Sequence, residues 1–143
     1  MLHKKQMYNL LTDIYAINKR WGNQRYSYDD QLESSMLVEE ALEPFDPHAR
    51  ETSRQLIESY EINPESITDV ERFDKHLDAI YISIGSIFKL GVTTEQLVDG
   101  LQAVHNANLT KIGSKDANGK VVKPENFTGP EPYLQQLLDR RPQ

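Results

Sequence analysis

Residues 77–91 read LDAIYISIGSIFKLG, fifteen positions with one carboxylate, Asp78, and one cation, Lys89. The run falls short of the ~20 apolar residues that a membrane span requires. A segment this apolar is satisfied as the central rod of a helical protein, so the stretch from Pro64 or Thr68 to Leu90 reads as the most buried helix of the chain. Gly91 supplies its stop, and Thr93 or Thr94 caps the next helix.

The rest of the chain carries the same three- and four-residue period. Met7, Leu10, Ile14, Ile17 and Trp21 form one helical face, with Lys19 and Arg20 in the last turn and Gly22 as its end. A polar stretch, GNQRYSYDD, precedes a second helix that starts near Asp29 or Asp30 and runs to about Glu43, where Pro44 and Pro47 stop it. PHARETSRQLIESYEI reads as a short exposed helix with Leu56, Ile57 and Tyr60 on one side. Asn63 and Pro64 restart the chain as cap and first helical position. A fifth helix places Leu97, Leu101, Val104, Asn108 and Ile112 on one face. Beyond Gly113 the Asn118-Gly119 pair signals a loop or small hairpin, and GPEPYLQQLLDRR a short terminal helix. The expectation is an all-α bundle of four to five main helices in one domain over 1–143, with an acidic core at about 30–112 and a C-terminal loop and tail at 113–143.

Function classes narrow at the level of composition. The 143 residues include no cysteine, which excludes disulfides, thiolate metal sites and thiol nucleophiles and fits a reducing cytoplasm. A net charge of −6 argues against nucleic acid as a partner, because phosphate contacts need a basic surface. Neither a membrane span nor a secretion signal is recognisable, so a cytoplasmic chain without a membrane partner is expected.

The carboxylates are more informative. LVEEALEPF crowds Glu39, Glu40 and Glu43 onto one turn, and each like-charged pair at helical spacing costs about 0.2–0.5 kcal/mol. Projected at about 100° per residue, the three occupy one arc. A solvated acidic face is the plain reading of such an arc. Leu32 and Met36 fall in the same arc and speak against it, since a water-facing stripe rarely carries both. Asp74 and Asp78, four apart on the next long helix, repeat the pattern, and Asp78 projects between Tyr81 and Ile82 with apolar flanks. A buried carboxylate needs a cation, either a side chain such as Arg54, Arg72 or Lys111, or a metal. Two acidic turns facing each other would offer only hard oxygen ligands, a set that selects Mg²⁺, or Mn²⁺ in its place. Such ions are typical of phosphate chemistry. On the fifth helix Asn108 lies mid-face and Lys111 at its edge, with Lys120 and Lys123 following in the loop. Asn108 is either a structural amide or a ligand contact, and the lysines are either surface charges or a triphosphate's partners.

Taken in order, Glu39-Glu40-x-x-Glu43, the acidic pair ending at Asp78 in DKHLDAIYISIGSIFKLGV, and VHNANLTKIG with DANGKVVKPENFTGPEPYLQQLLD resemble the MazG-like all-α NTP pyrophosphatase superfamily, near its phosphoribosyl-ATP pyrophosphohydrolase-like and dUTP pyrophosphatase members. The resemblance covers roughly residues 30–138. It implies hydrolysis of a nucleoside triphosphate between the α and β phosphates in a bacterial or phage-infected cell. It also implies Mg²⁺ on Glu39, Glu40, Glu43 and Asp78, and a homodimer or homotetramer with the active site near a subunit interface. The superfamily carries E-x-x-D at its second acidic motif; here Lys75 stands three before Asp78, and Asp74 is the substitute. On this reading Glu40 is the general base, and Asn108, Lys111, Lys120 and Lys123 contact the substrate. Trp21, Asn23 and Tyr26 precede the acidic motif and would lie toward the base, although Trp21 is better read as a core anchor. The competing class is a helical binding module whose acidic clusters are solvated or salt-bridged. A di-iron bundle needs Glu-x-x-His steps, and Phe73 and Gln102 stand three before His76 and His105.

Overall fold

The computed structural model describes residues 2–111, 115–117 and 119–142. It is all-helical, as the periodicity predicts: α1 (Leu2–Arg20), α2 (Asp30–Leu42), α3 (Ala49–Ser59), α4 (Asp69–Lys89), α5 (Thr94–Leu109) and α6 (Glu131–Asp139). The chain divides into two compact units, Arg25–Asp74 and Met1–Gln24 with Lys75–Gln143.

In the larger unit α5 is the common partner, packing against both α1 and α6. The buried face of α1 is the expected one: Leu10 is 1% exposed and Ile17 is also buried, with Met7, Ile14 and Trp21 half-buried. The helix ends where Gly22 adopts a left-handed backbone (φ 79°). There Asn23 N–H reaches Asn18 O at 3.1 Å and Gly22 N–H reaches Lys19 O at 3.0 Å, a paired closure that satisfies the last carbonyls. Gly91 ends α4 in the same backbone region (φ 81°).

At the start of α5, Thr93 Oγ1 accepts from Gln96 N–H at 3.2 Å while Gln96 Oε1 accepts from Thr93 N–H at 3.0 Å, a reciprocal cap. The same Gln96 amide donates to Leu137 O at 2.8 Å and so ties the end of α6 to the first turn of α5. Gly100 gives α6 room: a Cβ there would meet Leu134 Cδ2 at 3.4 Å and Leu137 Cδ1 at 3.8 Å. The packed face of α5 differs from the expected one. Val98, His105 and Ala107 are buried while Leu101 and Val104 are exposed, because a helix clasped by two neighbours buries two flanks rather than one stripe. Ile112 and Gly113, expected on that face and at its end, lie outside the described residues, as does Asn118 of the expected turn. Around that turn Lys115 and Val121 form an isolated antiparallel bridge, and Asp116 N–H donates to Lys120 O at 2.8 Å.

In the smaller unit α2 packs on α3. Asp29 caps α2 by accepting from Leu32 N–H at 2.9 Å. The Asp46 carboxylate accepts from His48 N–H at 2.8 Å and Thr52 Oγ1 at 2.6 Å, fixing the turn that enters α3. Pro64–Ser66 is a separate 3₁₀ turn, so of the two starts expected for the long helix, Pro64 or Thr68, the later one holds. The helix begins after Thr68, whose N–H and Oγ1 both donate to Glu71 Oε2 at 2.8 Å while Thr68 Oγ1 accepts from Glu71 N–H at 3.2 Å. Arg72, one turn in, grips both Asp30 oxygens at 3.1 and 3.2 Å and also donates to the carbonyls of Ile67 and Pro64.

The largest correction concerns α4. Read from its composition as the most buried helix, it has no buried residue at all. Phe73, Tyr81 and Phe88 are 67%, 82% and 75% exposed. Among the described residues the main helix pairs are α2 with α3 and α5 with α1 and α6, and α4 is in none of these.

Candidate functional site

The sequence-predicted site residues fall in both units, and each group is built by its own local structure. On α2, Glu39 and Glu43 stand one turn apart, joined by Glu43 N–H to Glu39 O at 3.0 Å. Glu39 is half-buried, as are Leu32 and Met36 of the same arc, whereas Glu40 and Glu43 are exposed. Glu40 and Glu43 thus face water, while Glu39 is partly covered. Asp74 is exposed on α4.

In the larger unit Asp78 is exposed rather than buried between apolar flanks, because Tyr81 and Ile82 on those flanks are themselves exposed. Its cation is none of Arg54, Arg72 or Lys111. Lys75, the residue standing where the resemblance expects a glutamate, reaches Asp78 Oδ2 at 2.9 Å. The pair is open to water, with 72% and 58% of the two side chains exposed, so it is weakly held. Arg54 is taken by Glu51 and Glu58 on α3, and Arg72 by Asp30 and Asp69.

Carboxylates of this kind have the donor chemistry for a hard cation. They are not gathered for one: among the described residues no group of three or more His, Asp or Glu side chains could hold a metal ion. Among the described residues the acidic side chains thus fit Mg²⁺ in donor type and not in arrangement.

The basic residues are brought together more closely. Lys111 closes the end of α5, its N–H donating to Asn108 O at 3.1 Å. Its ammonium lies 5.4 Å from the centre of the Phe127 ring, and that of Lys123 lies 5.3 Å from the same centre. The ring is fixed by a turn in which Phe127 N–H donates to Pro124 O at 3.0 Å. Each contact is an attraction between a cation and the electron-rich ring. Holding two ammonium groups on one ring also concentrates positive charge. Lys120 sits in the adjoining loop, its N–H donating to Asp116 Oδ1 at 3.0 Å, and Asn108 is half-buried one turn before Lys111. Lys115 is engaged elsewhere, donating to Asn23 Oδ1 at 2.8 Å.

Two residues escaped the sequence reading. Phe127 is the organising ring of the lysine pair; its signal was an aromatic four residues after Lys123. His105 is buried on α5, where spacing alone favoured Val104 for the interior.

No family model matches the chain, and neither the curated proteins nor the solved structures contain a match to it.

Proposed function

We propose that this chain is a nucleoside triphosphate pyrophosphohydrolase that converts a ribo- or deoxyribonucleoside triphosphate to the monophosphate and pyrophosphate. The observation that carries the reading is the convergence of Lys111 and Lys123 on Phe127. These lysines are twelve residues apart in sequence, and together they suit a chain of phosphates. Glu39-Glu40-x-x-Glu43 on α2 and the order of motifs along the chain support the same assignment.

In this mechanism Lys111, Lys120, Lys123 and Asn108 bind the triphosphate. Glu40 takes a proton from water as the water oxygen bonds to the α-phosphorus. The bond from that phosphorus to the bridging oxygen breaks, and pyrophosphate leaves. The substrate is the Mg²⁺ complex, Mn²⁺ being the substitute, and Glu39, Glu40, Glu43, Asp74 and Asp78 are the carboxylates proposed for the ion, which would neutralise phosphate charge. The enzyme would act on the cytoplasmic nucleotide pool as a homodimer or homotetramer.

Incubation with a panel of NTPs and dNTPs plus Mg²⁺, assayed for pyrophosphate against orthophosphate, tests the reading. Pyrophosphate from at least one nucleotide is expected. Orthophosphate as the primary product overturns the bond assignment, and no turnover of any overturns the enzyme. Glu40→Gln should abolish pyrophosphate release with the helical circular-dichroism signal retained. The Lys75–Asp78 ion pair favours a second reading, a binding module without catalysis, in which stoichiometric Mg²⁺ uptake at millimolar levels or below is absent.

A further inference from the structure

The stretch from Lys111 to Phe127 departs from the rest of the chain in charge. It holds Lys111, Lys115, Lys120 and Lys123 against Asp116 and Glu125, a net of +2 within a chain of −6. The Asp116 carboxylate is turned to the loop itself, accepting from Lys120 N–H at 3.0 Å, and Lys115 is held by Asn23 Oδ1 at 2.8 Å. The other pair of ammonium groups meets a ring: those of Lys111 and Lys123 stand 5.4 and 5.3 Å from the centre of Phe127. Phe127 is the one aromatic residue between Lys111 and Tyr133, so this stretch offers neither ammonium a second ring. Both lysines are also anchored through the main chain. Lys111 closes α5 on Asn108 O at 3.1 Å, and Lys123 enters the turn that Phe127 N–H closes on Pro124 O at 3.0 Å. The ring is half-buried and so is Lys111, whereas Lys123 is exposed.

We infer that Phe127 is a positioning residue that stations Lys111 and Lys123 to take two linked phosphates at once, so that the site holds free inorganic pyrophosphate in preference to orthophosphate. The inference rests on the reading of these lysines as the phosphate end of the substrate site and extends it to the leaving product. Two forces set the stations. The ring face attracts each ammonium within about 6 Å, and like charge drives the two apart. A lysine ammonium is a point charge with rotatable donors and imposes no planar geometry on its ligand. Discrimination between anions therefore comes from how many cations an anion reaches without drawing either off the ring. An anion of two linked phosphates meets both ammonium groups where they stand. Orthophosphate gains its second contact only by pulling the pair together against their repulsion. Pyrophosphate released by the reaction is thus retained at the lysines and competes with the next nucleotide.

Calorimetric titration of the full chain with sodium pyrophosphate and with sodium phosphate reads the preference, in EDTA so that no divalent ion takes part. Pyrophosphate should bind about tenfold more tightly, the factor expected of one further charge-assisted contact. Phe127→Leu keeps both lysines and an apolar side chain while removing the electron-rich face. It should bring the two anions within about threefold of each other by weakening pyrophosphate alone. Phe127→Tyr restores a ring face and should keep the wild-type ratio. Equal affinity of the two anions for the wild type overturns the inference, as does an unchanged ratio in Phe127→Leu. Loss of both anions alike in Phe127→Leu gives the ring a merely structural role and overturns it as well. Nucleotide turnover is read separately. An active wild type without the anion preference ends the inference and leaves the activity, whereas the preference in a chain that turns over no nucleotide ends the activity and leaves a pyrophosphate-binding site.

Discussion

Gly100 offers a sharp test of how α6 is seated, because the structure fixes the sign of two substitutions. It lies in the middle of α5, where glycine is worse than alanine by about 0.8–1.0 kcal/mol. An added Cβ would sit 3.4 Å from Leu134 Cδ2 and 3.8 Å from Leu137 Cδ1, at contact and short of collision. Gly100→Ala therefore keeps nearly the whole helix term, and a stabilisation of about 0.5–1 kcal/mol is expected. Gly100→Leu would drive three further carbons into the space held by the two α6 leucines, and overpacking of this kind costs about 1–3 kcal/mol. Thermal unfolding followed by circular dichroism at one protein concentration is the assay, with about 2–4 °C in Tm for each kcal/mol in a chain of this size. The alanine variant should melt above the wild type and the leucine variant below it. A lower Tm for Gly100→Ala would mean that α5 and α6 approach more closely than described. The same pair reports on the site, since the segment carrying Lys123 and Phe127 runs between these helices. Gly100→Leu should weaken triphosphate binding, and Gly100→Ala should leave it unchanged.

Leu10→Ala removes the most deeply buried side chain of α1 and should destabilise the chain by about 3 kcal/mol in urea titration, whereas a loss below about 1 kcal/mol would place Leu10 outside a packed core. Asp46 gives a pH signature. Hydrogen bonds from Thr52 and from the His48 backbone hold its carboxyl below the usual carboxylate range in the folded chain. A depressed folded pKa contributes stability that is complete above the unfolded value and is lost as pH falls through the folded one. The gap in urea midpoint between wild type and Asp46→Asn should thus be constant from about pH 7 to 5 and close progressively below about pH 4. A gap of the same size at pH 3 would show that the carboxylate's charge is not what fixes the turn into α3.

Much of the fold was legible in the sequence, for identifiable reasons. Helix ends were readable where a local device fixes them: Gly22 and Gly91 at positive φ, Asp29 capping α2, Thr93 with Gln96 at α5. The face of α1 was readable because, among the described residues, α5 is its main packing partner. The face of α5 was not, because α6 docks on a second flank through Gly100 and Gln96, and that contact is set by residues far along the chain. The misreading of α4 has another origin. Apolar composition was read as burial, whereas burial depends on which helices pack, and among the described residues α4 is in none of the main helix pairs. Asp78 was misjudged with it, since its burial was inferred from neighbours that are themselves exposed. At the candidate site, the two lysines that meet at Phe127 were named from their order in sequence, whereas the ring that gathers them was visible only once the 124–127 turn was seen.

The lysine pair is the point at which the functional account touches the structure most closely, and calorimetric titration with a nucleoside triphosphate carrying a non-hydrolysable α,β bridge measures it directly. Lys111→Ala and Lys123→Ala should each raise Kd about tenfold, the loss of one charge-assisted phosphate contact discounted for its exposure to water. Lys4→Ala, on the exposed side of α1, should leave Kd unchanged. Equal affinity in all three variants and the wild type would contradict the proposal that Lys111 and Lys123 meet at Phe127 to receive a nucleotide's phosphates.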